Sequence, residues 1–463
     1  MHTEKPDAQK IAEDLPTKLL GPARLARIYQ FTLRQLKRKP VMIGLLVLML
    51  GFSGGVAAHV AVKRTSNTPT VQTNQTPRKS PVSNLPSCQS ATATNCDKSK
   101  PATSDCRGKG PARITASPIA LADIAYIQPM GLEVGGHVTP IDHGYFYIKG
   151  VFAKPATLAA VYAPLDGVIT RVTRTVRNNS TNSGTFDDYA VSIEATCTFR
   201  VRFSNLLKFD GGLAQKVGQL AANQSAAISY NVKAGERIGY TGLPTANGID
   251  VWVENDQSML TGFINPAEYT ASESWKTHVV DLFDNTKEPL KDQLLALDER
   301  DASPRWGKID YDIDGKLVGN WFKVGTGGYA GLQKGGENYW QGHLSIVYDS
   351  NDPNQIIVSF GDYQGQPQQF AVFGNTPDPA SVGQSSGLVK YQLGQIQTYS
   401  GDTGQAWGGQ AYMPHLYARA AGSVSGTVLL QLVGQRSLRM EIFPAKTAAQ
   451  VAGFDSGALM YER

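Results

Sequence analysis

Residues 158–176 read LAAVYAPLDGVITRVTRTV, and this stretch decides the fold class of the region around it. Apolar and polar residues alternate after the turn at 163–167, and β-branched residues are frequent among them. Such period-two alternation is typical of half-buried strands. Working outward, similar short segments separated by turn residues recur at 145–151, 189–194, 197–203, 236–240 and 249–254. We therefore predict a mostly β domain over residues 116–275.

The composition agrees with a turn-rich β protein, because the 463 residues include 47 Gly and 25 Pro and only 18% are charged. The net charge of +5 is unevenly distributed. Residues 1–40 sum to +5 and residues 63–113 to +7, so the chain from 114 onward sums to −7. A nucleic-acid-binding domain carries its basic face on its folded part. We therefore expect no nucleic-acid partner.

A membrane anchor is predicted at residues 41–62, which read VMIGLLVLMLGFSGGVAAHVAV. These 22 residues contain no Asp, Glu, Lys or Arg, and their length suits one crossing of a bilayer. More basic residues lie before the segment than directly after it, which places the N-terminus inside. We expect a cytoplasmic basic tail at 1–40, a single transmembrane helix in the cell membrane and extracytoplasmic domains beyond it.

Residues 63–115 are rich in Thr, Ser, Asn, Pro and Lys and have too few apolar residues to fold alone, which predicts a flexible, disordered basic stalk. Cys88, Cys96 and Cys106 lie in this stalk, and Cys197 lies in the following domain. Four cysteines outside the cytoplasm allow two disulfides in three pairings. The sequence leaves the pairing open. A bridge such as Cys106–Cys197 would dock the stalk end.

Four segments of the first β-domain are similar to one family, the M23 zinc metallopeptidases, also called LytM-like or lysostaphin-like domains. The segments are PIDHGYFYI at 140–148, VYAPLDGVI at 161–169, VKAGERIGYTG at 232–242 and GIDVWVE at 248–254. They resemble, in order, the family's H-x-G-x-D strand, its hairpin, its V-x-x-G-x-x-I-G segment and its H-x-H ending. The resemblance implies a β-fold that binds or cuts peptidoglycan.

The functional residues of that family are replaced in this chain. The three zinc-ligand positions implied by the resemblance fall on Asp142, Phe146 and Trp252, and the first His of H-x-H falls on Asp250. The catalytic His falls near Asn205. None of the five positions keeps its residue, and Phe and Trp cannot ligate zinc. The resemblance therefore implies an inactive enzyme whose groove still binds a ligand.

The residues suggest an alternative zinc site, displaced from the family's positions, because His137, Asp142 and His143 lie within seven positions of one another. Neighbouring strand residues point to opposite faces, so only one of Asp142 and His143 is expected to serve a given pocket. We expect no cofactor, with such a displaced zinc site as the alternative. The candidate groove residues are Asp142, His143, Asn205, Asp250 and Trp252.

Residues 276–300 read as a connector with a short helix at 288–298, and residues 301–463 as a second β-domain, either a sandwich or a small barrel.

Asp310, Asp312 and Asp314 followed by Gly315 match the start of a calcium loop, but position 321, where a bidentate Glu is needed, is Trp. The alternative for these carboxylates is an acidic turn. The domain's aromatic residues fit a glycan-binding face or an ordinary core.

These features favour a membrane-anchored cell-envelope protein with an inactive M23-like domain that binds peptidoglycan or regulates a cell-wall hydrolase. Two alternatives stay open. The first is an active zinc peptidoglycan hydrolase with relocated ligands around His137, Asp142, His143 and Asp250. The second is a purely structural assembly protein.

Overall fold

The two strands predicted from residues 158–176 are present in the computed structural model, which describes residues 108–153, 156–178, 184–218, 220–332 and 338–463. They are Ala159–Tyr162 (β3) and Gly167–Asn178 (β4). They do not pair with each other, because the turn between them carries the chain from one sheet to another. The hairpin implied by the family resemblance is therefore wrong as a strand pair.

The predicted tail, the transmembrane helix at 41–62 and nearly all of the stalk lie outside the described residues. Among the residues that the structure does describe, none of the helices is both long and apolar enough to cross a bilayer.

The first β-domain contains a seven-stranded antiparallel sheet in the order β1-β2-β10-β6-β5-β4-β8 and a small sheet in the order β3-β9-β7. The remaining strands are Ile124–Gln128 (β1), Gly144–Ile148 (β2), Thr185–Glu194 (β5), Phe199–Leu206 (β6), Lys208–Phe209 (β7), Gln224–Val232 (β8), Arg237–Thr241 (β9) and Gly248–Asn255 (β10). Along β2, buried and half-buried residues alternate, so Phe146 faces the core while Tyr145 and Tyr147 face the other way. The strands β1, β7 and β8 are additional to those predicted.

Within the described residues, three short α-helices accompany this domain: Gly211–Val217 (α1), Pro266–Thr270 (α2) and Leu290–Leu295 (α3). Helix α3 is shorter than the predicted 288–298. Pro289 precedes its first residue, and its two buried leucines, Leu290 and Leu294, are four positions apart and therefore share one face. The connector thus packs against the core of the first domain rather than standing between two bodies.

The C-terminal region is a closed eight-stranded barrel in which each strand pairs with the next and the last pairs with the first. Its strands are Gly319–Lys323 (β11), His343–Tyr348 (β12), Ile356–Tyr363 (β13), Gln366–Val372 (β14), Val389–Ser400 (β15), Leu416–Gly434 (β16), Ser437–Pro444 (β17) and Leu459–Glu462 (β18). An apolar cluster that includes Trp321, Phe360 and Tyr391 forms its core. The last strand, β18, closes the barrel between β17 and β11.

The barrel and the first domain are joined by hydrogen bonds between buried polar side chains. Gln128 at the end of β1 donates to Asn351 at 2.9 Å and to Ser350 at 3.1 Å, and Asn351 donates back at 3.1 Å. Gln369 of β14 and the backbone of Gly135 exchange two hydrogen bonds of 2.9 and 3.0 Å. This seam places the barrel beside the end of β2, where the candidate site lies.

Candidate functional site

A cavity of about 290 Å³ lies where the sequence placed its groove candidates. Asp142 and His143 come directly before β2, and Asp250 and Trp252 lie on β10, which pairs with both β2 and β6. These four side chains line the cavity. Asn205, at the end of β6, lies behind it and contacts Asp250. The antiparallel register sets Asp250 opposite Ser204 on one side and Tyr145 on the other.

Asp142 is a buried carboxylate that accepts three hydrogen bonds. Its Oδ1 accepts from His143 Nδ1 at 2.9 Å and from Trp252 Nε1 at 3.1 Å, and its Oδ2 accepts from Trp275 Nε1 at 2.8 Å. Burial alone would raise the pKa of Asp142, but Lys276, His143 and Arg202 together hold that pKa well below its usual range. Asp142 is therefore ionised and fully engaged by N–H donors.

The expectation that only one of Asp142 and His143 could serve the pocket is wrong. Both residues lie in a bend before β2 rather than on the strand itself, so the alternation of strand side chains does not apply to them. Their side chains contact each other and both line the cavity. The local backbone, which period-two patterning cannot describe, decides this point.

His143 is oriented by Asp142 and faces Asp250 across the cavity. Its Nε2 lies 4.0 Å from Asp250 Oδ2, which is beyond hydrogen-bond distance. Within the described residues, no hydrogen-bond partner is found for this buried Nε2 atom. The Trp252 ring lies against the imidazole, with the ring centroids 4.0 Å apart.

Asp250 is held from behind by two side chains of β6. Ser204 Oγ donates to Oδ2 at 2.5 Å, and Asn205 Nδ2 donates to Oδ1 at 2.7 Å. Asn205 has φ of 65°, a left-handed conformation that asparagine tolerates better than most residues. Burial raises the pKa of Asp250, against a lowering by His143 and by these hydrogen bonds.

The remaining walls come from segments in which the sequence analysis found no candidate. Glu273, Trp275 and Lys276 follow α2, while Tyr329, Tyr339 and His343 come from the barrel. Tyr329 donates to Glu273 at 2.5 Å, and Lys276 donates to the carbonyl of Pro140 at 3.2 Å. None of these residues belongs to a local motif, so only the packing of the barrel against the first domain brings them together.

The side chains present do not form a zinc donor set at the positions that the family resemblance implies. Asp142 is saturated by N–H donors, Phe146 is fully buried in the core, and Trp252 donates its indole proton to Asp142. His137 is a further cavity residue, but its ring lies 6.4 Å from that of His143. Burial, aided by His143 and Lys276, lowers the pKa of His137 to about 4. Across the described ranges, no group of three or more His, Cys, Asp or Glu side chains is placed to hold a metal.

The three carboxylates of the candidate calcium loop engage different partners. Asp310 accepts from Lys308 and from the backbone of Gly262. Asp312 accepts from the amides of Ile264 and Asn320, and Asp314 is paired with Arg436 at the surface. These contacts join the segment at 310–314 to residues 262–264, to Asn320 and to Arg436.

Cys197 is disulfide-bonded. The other three cysteines lie outside the described residues, so the pairing stays a prediction. The amide of Cys197 donates to the carbonyl of Gly108 at 3.0 Å, and Thr196 and Thr198 bond the backbone of Gly110. Residues 108–110, which belong to the predicted stalk, are thus fixed beside Cys197.

No protein-family model, curated protein or solved structure matches this chain.

Proposed function

We propose that this chain is a membrane-anchored cell-envelope protein whose M23-like domain is not catalytic and binds peptidoglycan, or regulates a cell-wall hydrolase, through the cavity at Asp142, His143 and Asp250. One observation carries the proposal. The cavity contains residues to which the family resemblance assigns the groove, but Asp142 accepts hydrogen bonds from two indoles and does not face a set of metal ligands among the described residues.

The shape of the cavity supports binding over turnover of a long substrate. Tyr329, Tyr339 and His343 of the barrel line one side of it, so the barrel restricts the space available along the groove. A volume of about 290 Å³ is at the lower end for small-molecule sites, and it admits one residue-sized group rather than an extended strand. A bound polymer would therefore insert one side chain or terminus.

The proposal is tested by incubating the full-length chain, in detergent and with added zinc, with purified peptidoglycan sacculi. Pelleted protein and released soluble muropeptides are both quantified. We expect the chain to pellet with the sacculi and to release no more muropeptide than buffer. Muropeptide release that His143→Ala abolishes would favour the relocated zinc hydrolase, and failure to pellet would favour a structural assembly protein.

A further inference from the structure

His143 lines the cavity and carries a buried nitrogen, Nε2, that has no hydrogen-bond partner among the described residues. The side chain of His143 is only 6% exposed, and in the described part of the structure its Nε2 makes no hydrogen bond. A buried polar atom left unpaired carries a free-energy cost and calls for an explanation. A group bound in the cavity can supply the missing partner, because His143 and Asp250 both line it.

The contacts of His143 define what kind of partner fits. Asp142 is ionised and can only accept, so the Nδ1 of His143 carries the proton of that hydrogen bond. In the neutral imidazole, Nε2 is then an acceptor. It faces a second acceptor, Asp250 Oδ2, at 4.0 Å. Two acceptors at this separation leave a place for a group that donates to both.

The geometry of that place suits a nitrogen with several N–H bonds. A nitrogen at about 2.9 Å from both atoms would see them at an angle of about 90°. This is about 20° less than the tetrahedral angle between two N–H bonds of an ammonium group, so each hydrogen bond would bend by only about 10°. The Trp252 ring lies against the imidazole, and the Arg202 guanidinium lies 5.0 Å from the centroid of the same ring. Asp250 supplies the negative charge.

The other charged side chains near the cavity have contacts of their own. Lys276 lies near Asp142 and Glu273, donates to Pro140 and sits 5.2 Å from the centroid of the Tyr329 ring. Arg177 acts on Asp250 from a distance, but its guanidinium is bonded to Asp188 at 2.6 Å. Asp250 thus has two neutral donors, Ser204 and Asn205, and no cation in direct contact among the described residues.

We propose that the cavity binds a primary ammonium group, held between His143 Nε2 and Asp250 Oδ2, on a ligand of amino-acid size. The inference rests on the proposed function, because it names the group which that same cavity recognises. In an envelope polymer, the side-chain amine of a diamino acid in an uncross-linked stem peptide has this chemistry. A free amino acid or diamine has it as well.

The test is calorimetric titration of the full-length chain with lysine, with 1,5-diaminopentane and with Nα,Nε-diacetyllysine. We expect lysine and the diamine to bind and the diacetyl compound not to bind. Asp250→Asn should weaken lysine binding at least tenfold, because it replaces the charged acceptor by a neutral amide. Equal binding of the diacetyl compound, or no binding of either amine, would overturn the inference.

The chain offers a matched control pair at its surface. His415 Nδ1 contacts Asp402 Oδ1 at 2.7 Å, as His143 contacts Asp142, but both side chains are exposed. Asp402→Asn and His415→Gln should leave lysine binding unchanged. If Asp250→Asn fails to fold by circular dichroism, His143→Gln serves as the second variant, and wild-type affinity in that folded variant would also overturn the inference.

Sacculi with native and with acetylated amines separate this inference from the proposed function. Binding to native sacculi that acetylation abolishes supports both. Equal binding to both kinds leaves the proposed function standing and contradicts the ammonium site. Lysine binding by a chain that ignores native sacculi supports the ammonium site and contradicts peptidoglycan as the ligand.

Discussion

The barrel and the first β-domain differ in the kinds of side chain that they bury. The barrel closes all its strand edges and fills its core with apolar side chains such as Trp321, Phe360 and Tyr391. The first domain keeps an open sheet and buries carboxylates at Asp142 and Asp250 beside one end of it. The apolar barrel core acts as a scaffold, whereas the cavity beside the first sheet is lined by buried ionisable side chains.

The distribution of unpaired polar atoms sharpens this contrast. In the described residues, buried side-chain atoms without a partner include Glu133 Oε1, His143 Nε2, Ser272 Oγ, Asp298 Oδ1 and Glu299 Oε2, all before the barrel begins. Within the barrel strands and the residues after them, the described example is Arg463 Nε. Departures of this kind from full hydrogen bonding are expected at functional sites. The comparison directs functional tests to the first domain and its seam.

The largest effect on stability is expected from a substitution in the barrel core. Trp321 is fully buried and donates its indole proton to the carbonyl of Leu317 at 2.8 Å. Trp321→Ala should lower the free energy of unfolding by about 3–5 kcal/mol, measured by chemical denaturation. Trp407 is half-buried, so Trp407→Ala should lower the free energy of unfolding by less. Loss of lysine binding by a Trp321→Ala chain that is still folded would break the separation of scaffold and site.

A smaller loss of stability is expected from a substitution at the cavity. Asp142→Asn keeps the shape but places an NH₂ group where indole and imidazole N–H groups now donate. One buried donor then lacks an acceptor, and the free energy of unfolding should fall by about 2–3 kcal/mol. Asp402→Asn, at the exposed histidine pair, should not change it measurably. Equal stability of the two variants would show that the Asp142 network contributes nothing to the fold.

The seam between the two domains should make stability depend on pH. Burial, together with the neighbouring Asp298 and Asp301, raises the pKa of Glu299 to about 8. The folded state then holds a proton that the unfolded state releases near its ordinary pKa. This stabilisation is complete below about pH 4.5 and is lost as the pH rises through 8.

The matched variant for this pH effect is Glu299→Gln, since the amide stays neutral and can still accept from the amide of Met413. Thermal unfolding followed from pH 5 to 9 should show a smaller decline for Glu299→Gln than for the wild type. Identical pH profiles of the two chains would place the titrating groups elsewhere.

The smallest effect is expected from calcium. Asp310, Asp312 and Asp314 are engaged by Lys308, by backbone amides and by Arg436. Millimolar calcium should therefore leave the melting temperature unchanged, as should magnesium. A calcium-specific rise that Asp314→Asn removes would restore the calcium loop as an explanation of these residues.

Much of the fold follows from local patterning, because alternating apolar residues predict strands wherever one face is buried. Short or polar strands such as β7 and β8 escape this signal, and β18 is missed because it follows a turn-rich stretch. The groove candidates came from the family resemblance, and Asp142, His143, Asp250 and Trp252 among them line the cavity. Glu273, Lys276 and Tyr329 were not among the candidates, since their role depends on how the barrel packs against a distant part of the chain.

The central claim is that the cavity binds a ligand without a metal, and zinc stoichiometry tests it most directly. The full-length chain is equilibrated with a small excess of zinc, freed of unbound metal and analysed for its zinc content, alongside Asp142→Ala and His143→Ala. The account predicts far less than one zinc per chain, equal in all three proteins. One zinc per wild-type chain, lost in both variants, would contradict it.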